Sequence, residues 1–121
     1  MSVLRFLRNA TIAFVFFNGC LLAITEASQS FQGKCLLEVN KKEYLNGPCA
    51  ITMEDDGGFS IGASETERLT YFAIVEVTGK DIGEGFWNEE KGANHAHTPL
   101  GKLVKQGACW QNKNAKVCAW K

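Results

Sequence analysis

The chain has 121 residues, and its 13 basic and 13 acidic residues cancel to a formal net charge of zero. This length corresponds to one domain, and the balanced charge disfavours nucleic-acid binding, which calls for a basic surface. Five cysteines in so short a chain point instead to a protein held together by disulfides.

The amino terminus has the layout of a secretory signal peptide. Arg5 and Arg8 give a positive start, and a largely apolar run follows over residues 10–24. Asn18-Gly19 interrupts that run, which leaves it shorter than the about 20 apolar residues that a membrane-spanning helix needs. The pattern predicts export and no stable membrane span in the mature protein.

Small residues at Thr25 and Ala27 suit cleavage after Ala27. We therefore expect a signal peptide at residues 1–27 and a single domain at residues 28–121. A second interpretation makes Cys20, which follows a glycine, the lipid-modified first residue of a lipoprotein. The mature part carries no Asn-x-Ser/Thr glycosylation acceptor, which fits a bacterial periplasmic or secreted protein.

Removal of the signal peptide leaves four cysteines, an even number that in an exported chain predicts two disulfides. Four cysteines allow three pairings. We expect neighbours along the chain to pair, Cys35 with Cys49 and Cys109 with Cys118. Each bridge closes a short loop, for which chain-entropy arguments give about 2.5 to 3 kcal/mol.

Clusters of Gly, Asn and Asp divide the mature chain into short segments of β-forming residues, the spacing typical of a meander of strands. The sequence therefore predicts an all-β domain, a small antiparallel β-sandwich or barrel of about seven or eight strands stapled by two disulfides. The predicted strands are 35–39, 44–45, 50–53, 59–61, 69–77, 82–87, 103–106, 109–111 and 116–120.

The clearest predicted strand is 69–77, which alternates between two largely apolar faces and should therefore be covered on both sides. Just before it, residues 64–68 suggest a single helical turn or an exposed loop. Asn46-Gly47-Pro48 is expected to redirect the chain before Cys49.

The last hairpin sets its own register. Folding the chain about Lys113-Asn114 places Cys109 opposite Cys118 and Trp110 opposite Val117, within reach of a disulfide. Asn114, which tolerates a left-handed backbone, suits the turn. In this register Trp110 and Trp120 lie on different faces, so we expect one inside and one partly exposed.

Charge is unevenly distributed along the mature chain. Residues 28–90 carry 12 acids and 5 basic residues, whereas residues 91–121 carry six lysines and no acid. Glu54, Asp55 and Asp56 form an acidic turn that lacks the alternating acids of a calcium loop, and we expect it to act as an anionic protrusion that binds a basic partner. The two regions are expected to pair across a sheet, or one of them to form a face that recognises an oppositely charged partner.

Two further patterns suggest ligands. Trp110 and Trp120, together with the carboxy-terminal lysines, could stack on and neutralise a glycan or another envelope polymer. His95 and His97 stand two residues apart, a spacing that suits two ligands of one zinc or copper ion on an extended segment. A catalytic metal needs a third ligand, and the spacing selects neither Glu89 nor Glu90, so we favour a polar loop there.

No arrangement typical of catalysis occurs: a nucleophile elbow and a phosphate-binding glycine loop are absent, and the cysteines are committed to bridges.

The leading hypothesis is a non-catalytic binding protein without a cofactor, whose partner is a protein or an envelope polymer. In general character the chain is similar to the small periplasmic lysozyme inhibitors of bacteria, which implies inhibition of a cell-wall hydrolase. Their Ser-Gly-x-x-Tyr motif is not matched by Ser60-Ile61-Gly62 and Tyr71. The alternatives are a glycan-binding module and a metal-dependent enzyme that uses His95 and His97.

Overall fold

A computed structural model describes residues 28–63 and 70–121. The predicted signal peptide, Cys20 and the segment 64–68 lie outside the described residues. Eight strands, numbered here in chain order, make up the described part: β1 Gln29–Val39, β2 Lys42–Met53, β3 Phe59–Ile61, β4 Ala73–Gly79, β5 Ile82–Trp87, β6 Thr98–Gln106, β7 Cys109–Gln111 and β8 Ala115–Trp120.

The strands form one closed antiparallel barrel in which every strand pairs with its neighbour in sequence, and β8 returns to pair with β1. Of the two predicted architectures, the barrel is therefore the one adopted. Closure satisfies the backbone of the first and last strands, which would otherwise be open edges.

Alternation along each strand fills the barrel with apolar side chains. On β5 the inward positions Gly83 and Gly85 leave room for bulky residues from elsewhere: an added Cβ on Gly83 would lie 3.2 Å from the Trp110 ring, and one on Gly85 would lie 2.7 Å from Leu103 Cδ1. The core comprises Cys35, Leu37, Cys49, Ile51, Phe59, Ile61, Ala73, Val75, Trp87, Leu100, Leu103, Trp110, Ala115 and Val117.

Both predicted disulfides are confirmed, with Cα–Cα distances of 5.9 Å for Cys35–Cys49 and 4.0 Å for Cys109–Cys118. The first belongs to the core. The second lies on the outer wall, because its cysteines alternate with the core residues Trp110 and Val117. Two structural disulfides indicate an oxidising, extracytoplasmic compartment. Among the residues that the structure describes, no helix is both long and apolar enough to span a membrane.

The register predicted for the last hairpin is confirmed, with Cys109 opposite Cys118. The predicted role of Asn114 is wrong, since its backbone is not left-handed. Instead the Asn112 side-chain oxygen accepts hydrogen bonds from the backbone N–H groups of Asn114 (2.7 Å) and Ala115 (2.8 Å). A side chain that bonds the backbone two and three residues ahead closes the turn without a left-handed residue.

Two strand predictions need correction. Asn46-Gly47-Pro48 does not redirect the chain, because all three residues pair with β1 inside the continuous strand β2. The strand predicted at 69–77 begins only at Ala73, since the Phe72 N–H bonds to the Asn88 side chain at 2.7 Å. It is not covered on both sides: Ala73 and Val75 face the core, while Ile74 and Glu76 face outward, as closure of a barrel requires.

Candidate functional site

The acidic turn joins β2 to β3, and its shape is fixed by hydrogen bonds. The Glu54 N–H donates to the Gly58 carbonyl at 2.8 Å, and the Gly57 N–H donates to the Glu54 carbonyl at 3.2 Å. One carboxylate oxygen of Asp56 accepts the Gly58 N–H at 2.8 Å. Gly57 has a φ of 93°, a conformation that favours glycine. The turn therefore presents its carboxylates from a defined backbone.

A groove with a volume of about 520 Å³ runs between this turn and the outer face of β4. The groove forms because β3 spans only three residues and pairs with residues 73–75 of β4. The remaining residues of β4, 76–79, have no strand partner on the β3 side and face the acidic turn instead. We call it the acidic groove; the residues that give it its chemistry are Glu54, Asp56, Ser60, Ile74, Glu76 and Thr78.

Three acidic residues and one aliphatic residue line the acidic groove. Glu54, Asp56 and Glu76 supply negative charge, and half-buried Ile74 supplies an apolar surface in the same groove. Arginine and lysine side chains match this arrangement, because each carries a cationic head on an apolar stem. The arrangement suits recognition of a basic protein surface, and it contains neither a nucleophile paired with a base nor a metal-ligand set.

Trp110 and Trp120 behave as predicted, since Trp110 is 6% exposed and Trp120 is 38% exposed. Trp110 packs inside the barrel and is inaccessible to a ligand. Trp120 lies on the outer wall directly opposite Lys34, whose amino group stands 5.7 Å from the ring centroid. A sugar ring would compete with Lys34 for that face of the indole.

The histidines lie in the β5–β6 connection, on a pocket of about 580 Å³ that also contains Glu89 and Glu90. The rings of His95 and His97 are stacked, with centroids 5.0 Å apart and planes 7° from parallel. Within 28–63 and 70–121, no three His, Cys, Asp or Glu side chains are grouped to hold one metal ion. Among the described residues, none is therefore placed to give this pair the third ligand that a catalytic metal needs.

Asn88 at the base of that pocket is 2% exposed, and its side-chain amide is fully used. It accepts the Phe72 N–H and donates to the carbonyls of Thr70 (3.0 Å) and Ala93 (3.1 Å). Asn88 thus ties the β5–β6 connection to the residues before β4. The role of Asn88 is therefore structural, because all these hydrogen bonds are to the backbone.

The acidic groove contains residues that the sequence analysis did not select, namely Ile74, Glu76 and Thr78. Asp55, which was selected, is exposed at the tip of the turn and does not line the groove. The sequence does contain a signal for these residues: Ile74, Glu76 and Thr78 are two apart, so alternation along β4 places all three on its outer face. Their proximity to the turn follows only from the register that sets Phe59 opposite Val75.

Comparison with protein-family models, with curated proteins and with solved structures found no match to this chain. Its function is therefore inferred from the chemistry of the described surface.

Proposed function

We propose that this chain is an exported, non-catalytic binding protein of the bacterial periplasm or cell envelope, which holds a basic protein partner through the acidic groove. The observation that carries the proposal is that Glu54, Asp56, Glu76 and Ile74 line one groove on the outer wall. Three acidic residues that line one groove complement the charge of a cationic partner.

The setting of the groove favours binding without rearrangement. Its turn is fixed by hydrogen bonds, and its β4 side belongs to a closed barrel stapled by two disulfides. A surface that is already in its binding conformation loses little entropy on association. The carboxylates would also attract a cationic partner over about a Debye length and speed the encounter.

The partner class that we propose is a basic cell-wall hydrolase, such as a lysozyme. An enzyme that acts on an anionic wall gains from a basic surface, and such a surface complements the groove. An acidic turn bound at the rim of the enzyme's cleft would exclude the wall polymer. The protein would then act as an inhibitor that protects the envelope.

The test is a lysozyme assay on wall substrate with the purified, disulfide-intact protein in excess. Wall lysis should slow, and the triple variant Glu54→Gln, Asp56→Asn, Glu76→Gln should lose most of this inhibition. Asparagine at position 56 keeps the oxygen that accepts the Gly58 N–H, so the turn is preserved.

A charge-matched control removes three carboxylates elsewhere: Glu43→Gln at the start of β2, with Glu89→Gln and Glu90→Gln in the β5–β6 connection. This control should inhibit as the unmodified protein does. Unchanged lysis with an excess of protein would rule out lysozyme as the target. Equal losses of inhibition in both triple variants would show that inhibition depends on net charge and not on the acidic groove.

A second candidate function is binding of an envelope glycan, which the exposure of Trp120 favours. A sugar ring stacked on the indole should change tryptophan fluorescence on titration with wall fragments at low salt. A Trp120→Ala variant should abolish the change, because Trp87 and Trp110 are buried. A flat titration of the unmodified protein would count against this alternative.

A further inference from the structure

We infer that a second site, independent of the acidic groove, binds a phosphate group at the opposite end of the barrel. Three lysines, Lys41, Lys113 and Lys116, line a small cavity between the β1–β2 turn and the β7–β8 turn. The acidic turn lies at the other end, because consecutive strands of a meander connect at alternate ends. Hereafter we call this site the lysine cavity.

The backbone of the first turn is the observation that singles out this cavity. Asn40 and Lys41 are the two residues between β1 and β2, and both are left-handed, with φ of 53° and 69°. Two-residue turns with this geometry strongly favour Asn-Gly, since a side chain at the second position is disfavoured by sterics. Lysine therefore occupies a position where glycine would relieve backbone strain.

Lysine at position 41 is unfavourable for a second reason, which is charge. Lys41 lines the same cavity as Lys113 and Lys116, so three cationic residues border one small space. Glu38 also lines the cavity and lies directly opposite Lys116 on the neighbouring strand. Three positive charges against one negative charge leave a net charge of +2, which an anion would neutralise.

The cavity is built on fixed backbone. The Asn40 N–H donates to the Asn114 carbonyl at 2.7 Å, which joins the two turns. The Asn112 side chain holds the second turn closed and also donates to the carbonyls of Leu100 and Lys102 on β6, at 2.9 and 3.0 Å. The lysines therefore extend from two turns whose relative position is set.

Size and charge together point to the ligand class. The cavity volume is about 150 Å³, the space of about five water molecules. One phosphate group fits in this space. Lysine binds phosphate as a point charge, and several lysines around one oxyanion form charge-assisted hydrogen bonds. Free phosphate and the phosphate of a lipid headgroup share this chemistry, and the two arms of the test below distinguish them.

The test follows amide chemical shifts of the whole exported protein by NMR during titration at constant ionic strength. One arm uses inorganic phosphate, and the other uses phosphatidylcholine vesicles with and without phosphatidic acid. Phosphate should shift the amides of residues 40–42 and 112–116 in a saturable way. Tighter binding in one arm identifies the source of the group.

Lys41→Gly is the decisive variant, because its two expected effects have opposite signs. It should raise the midpoint of thermal unfolding by relieving the turn, yet weaken phosphate binding about tenfold, the equivalent of one charge-assisted hydrogen bond. Lys113→Ala, which leaves the left-handed turn untouched, should weaken binding to a similar extent.

Asp81→Gly is the matched control, since Asp81 is also left-handed, with a φ of 57°, but lies in the turn at the other end of the barrel. It should leave phosphate affinity within about twofold of the unmodified protein. The inference is overturned if shifts appear equally around Lys80 and Lys105, or if Lys41→Gly and Lys113→Ala bind phosphate as the control does.

Discussion

Single side chains decide several local features of this barrel. Asn112 and Asn88 each use both ends of their amide on backbone groups, one to close the last turn and the other to join two connections. The sequence does not reveal these roles, because asparagine in a polar segment looks the same whether it is exposed or buried. The error over Asn114 has this origin, since Asn112, two residues earlier, closes the turn.

Replacing Asn88 with aspartate should lower the free energy of unfolding by about 2 to 4 kcal/mol, measured by urea denaturation at neutral pH. The variant would place a carboxylate where two carbonyl oxygens now receive hydrogen bonds, in a site with almost no solvent. Asn94→Asp, on an exposed residue of the same connection, should change stability by less than about 0.5 kcal/mol. Equal effects of the two substitutions would contradict the role of Asn88.

Replacing Gly83 with alanine should cost about 1 to 3 kcal/mol, the range for overpacking. An added Cβ would lie 2.6 Å from the Glu76 carbonyl oxygen on β4 and against the Trp110 ring, so backbone must move. Gly79→Ala is the control on the neighbouring strand, because an added Cβ there meets nothing within 4 Å. Thermal unfolding of both variants checks the expectation; a neutral Gly83→Ala would show that the inner face has spare room.

At the scale of elements, the strand predictions succeeded where a run of β-forming residues is flanked by turn-forming residues on both sides. Strands β3, β5 and β7 have the predicted bounds, and the register of the last hairpin follows from its cysteines. The strand predictions failed where a strand continues through turn-forming residues because they pair with a neighbouring strand, as Gly47 and Pro48 do. Pro48 is tolerated because β3 pairs only with Ile51–Met53, so the β3 side of Pro48 carries no ladder.

The two disulfides should differ in their resistance to reduction under native conditions. Both Cys35 and Cys49 are buried in the core, whereas Cys109 on the outer wall is partly exposed. A thiolate must reach a sulfur atom to reduce it, so Cys109–Cys118 should be reduced first. Alkylation followed by peptide mass spectrometry at increasing times reads the order. Earlier reduction of Cys35–Cys49 would show that the barrel opens beside its first hairpin.

At the scale of the whole molecule, the uneven charge of the sequence leads both to pairing across strands and to local concentrations of charge. Glu38 lies opposite Lys116 and Glu84 opposite Lys102, so acidic and basic parts of the chain do meet across strand pairs. Charge is also concentrated in two places, the acidic groove and the lysine cavity. The sequence predicts the acidic turn, but it predicts neither the β4 side of the groove nor the lysine cavity, because those residues are brought together only by barrel register. Binding by the groove is the central claim.

The most direct test of that claim is affinity capture from periplasmic extract and from host secretions, with disulfides intact. The immobilised protein should retain a basic cell-wall hydrolase at low salt and release it as salt rises, as expected for carboxylates at a surface. The groove variant should lose this protein and the charge-matched control should keep it. Capture that resists high salt, or that is equal on both variants, would contradict the proposed function of the groove.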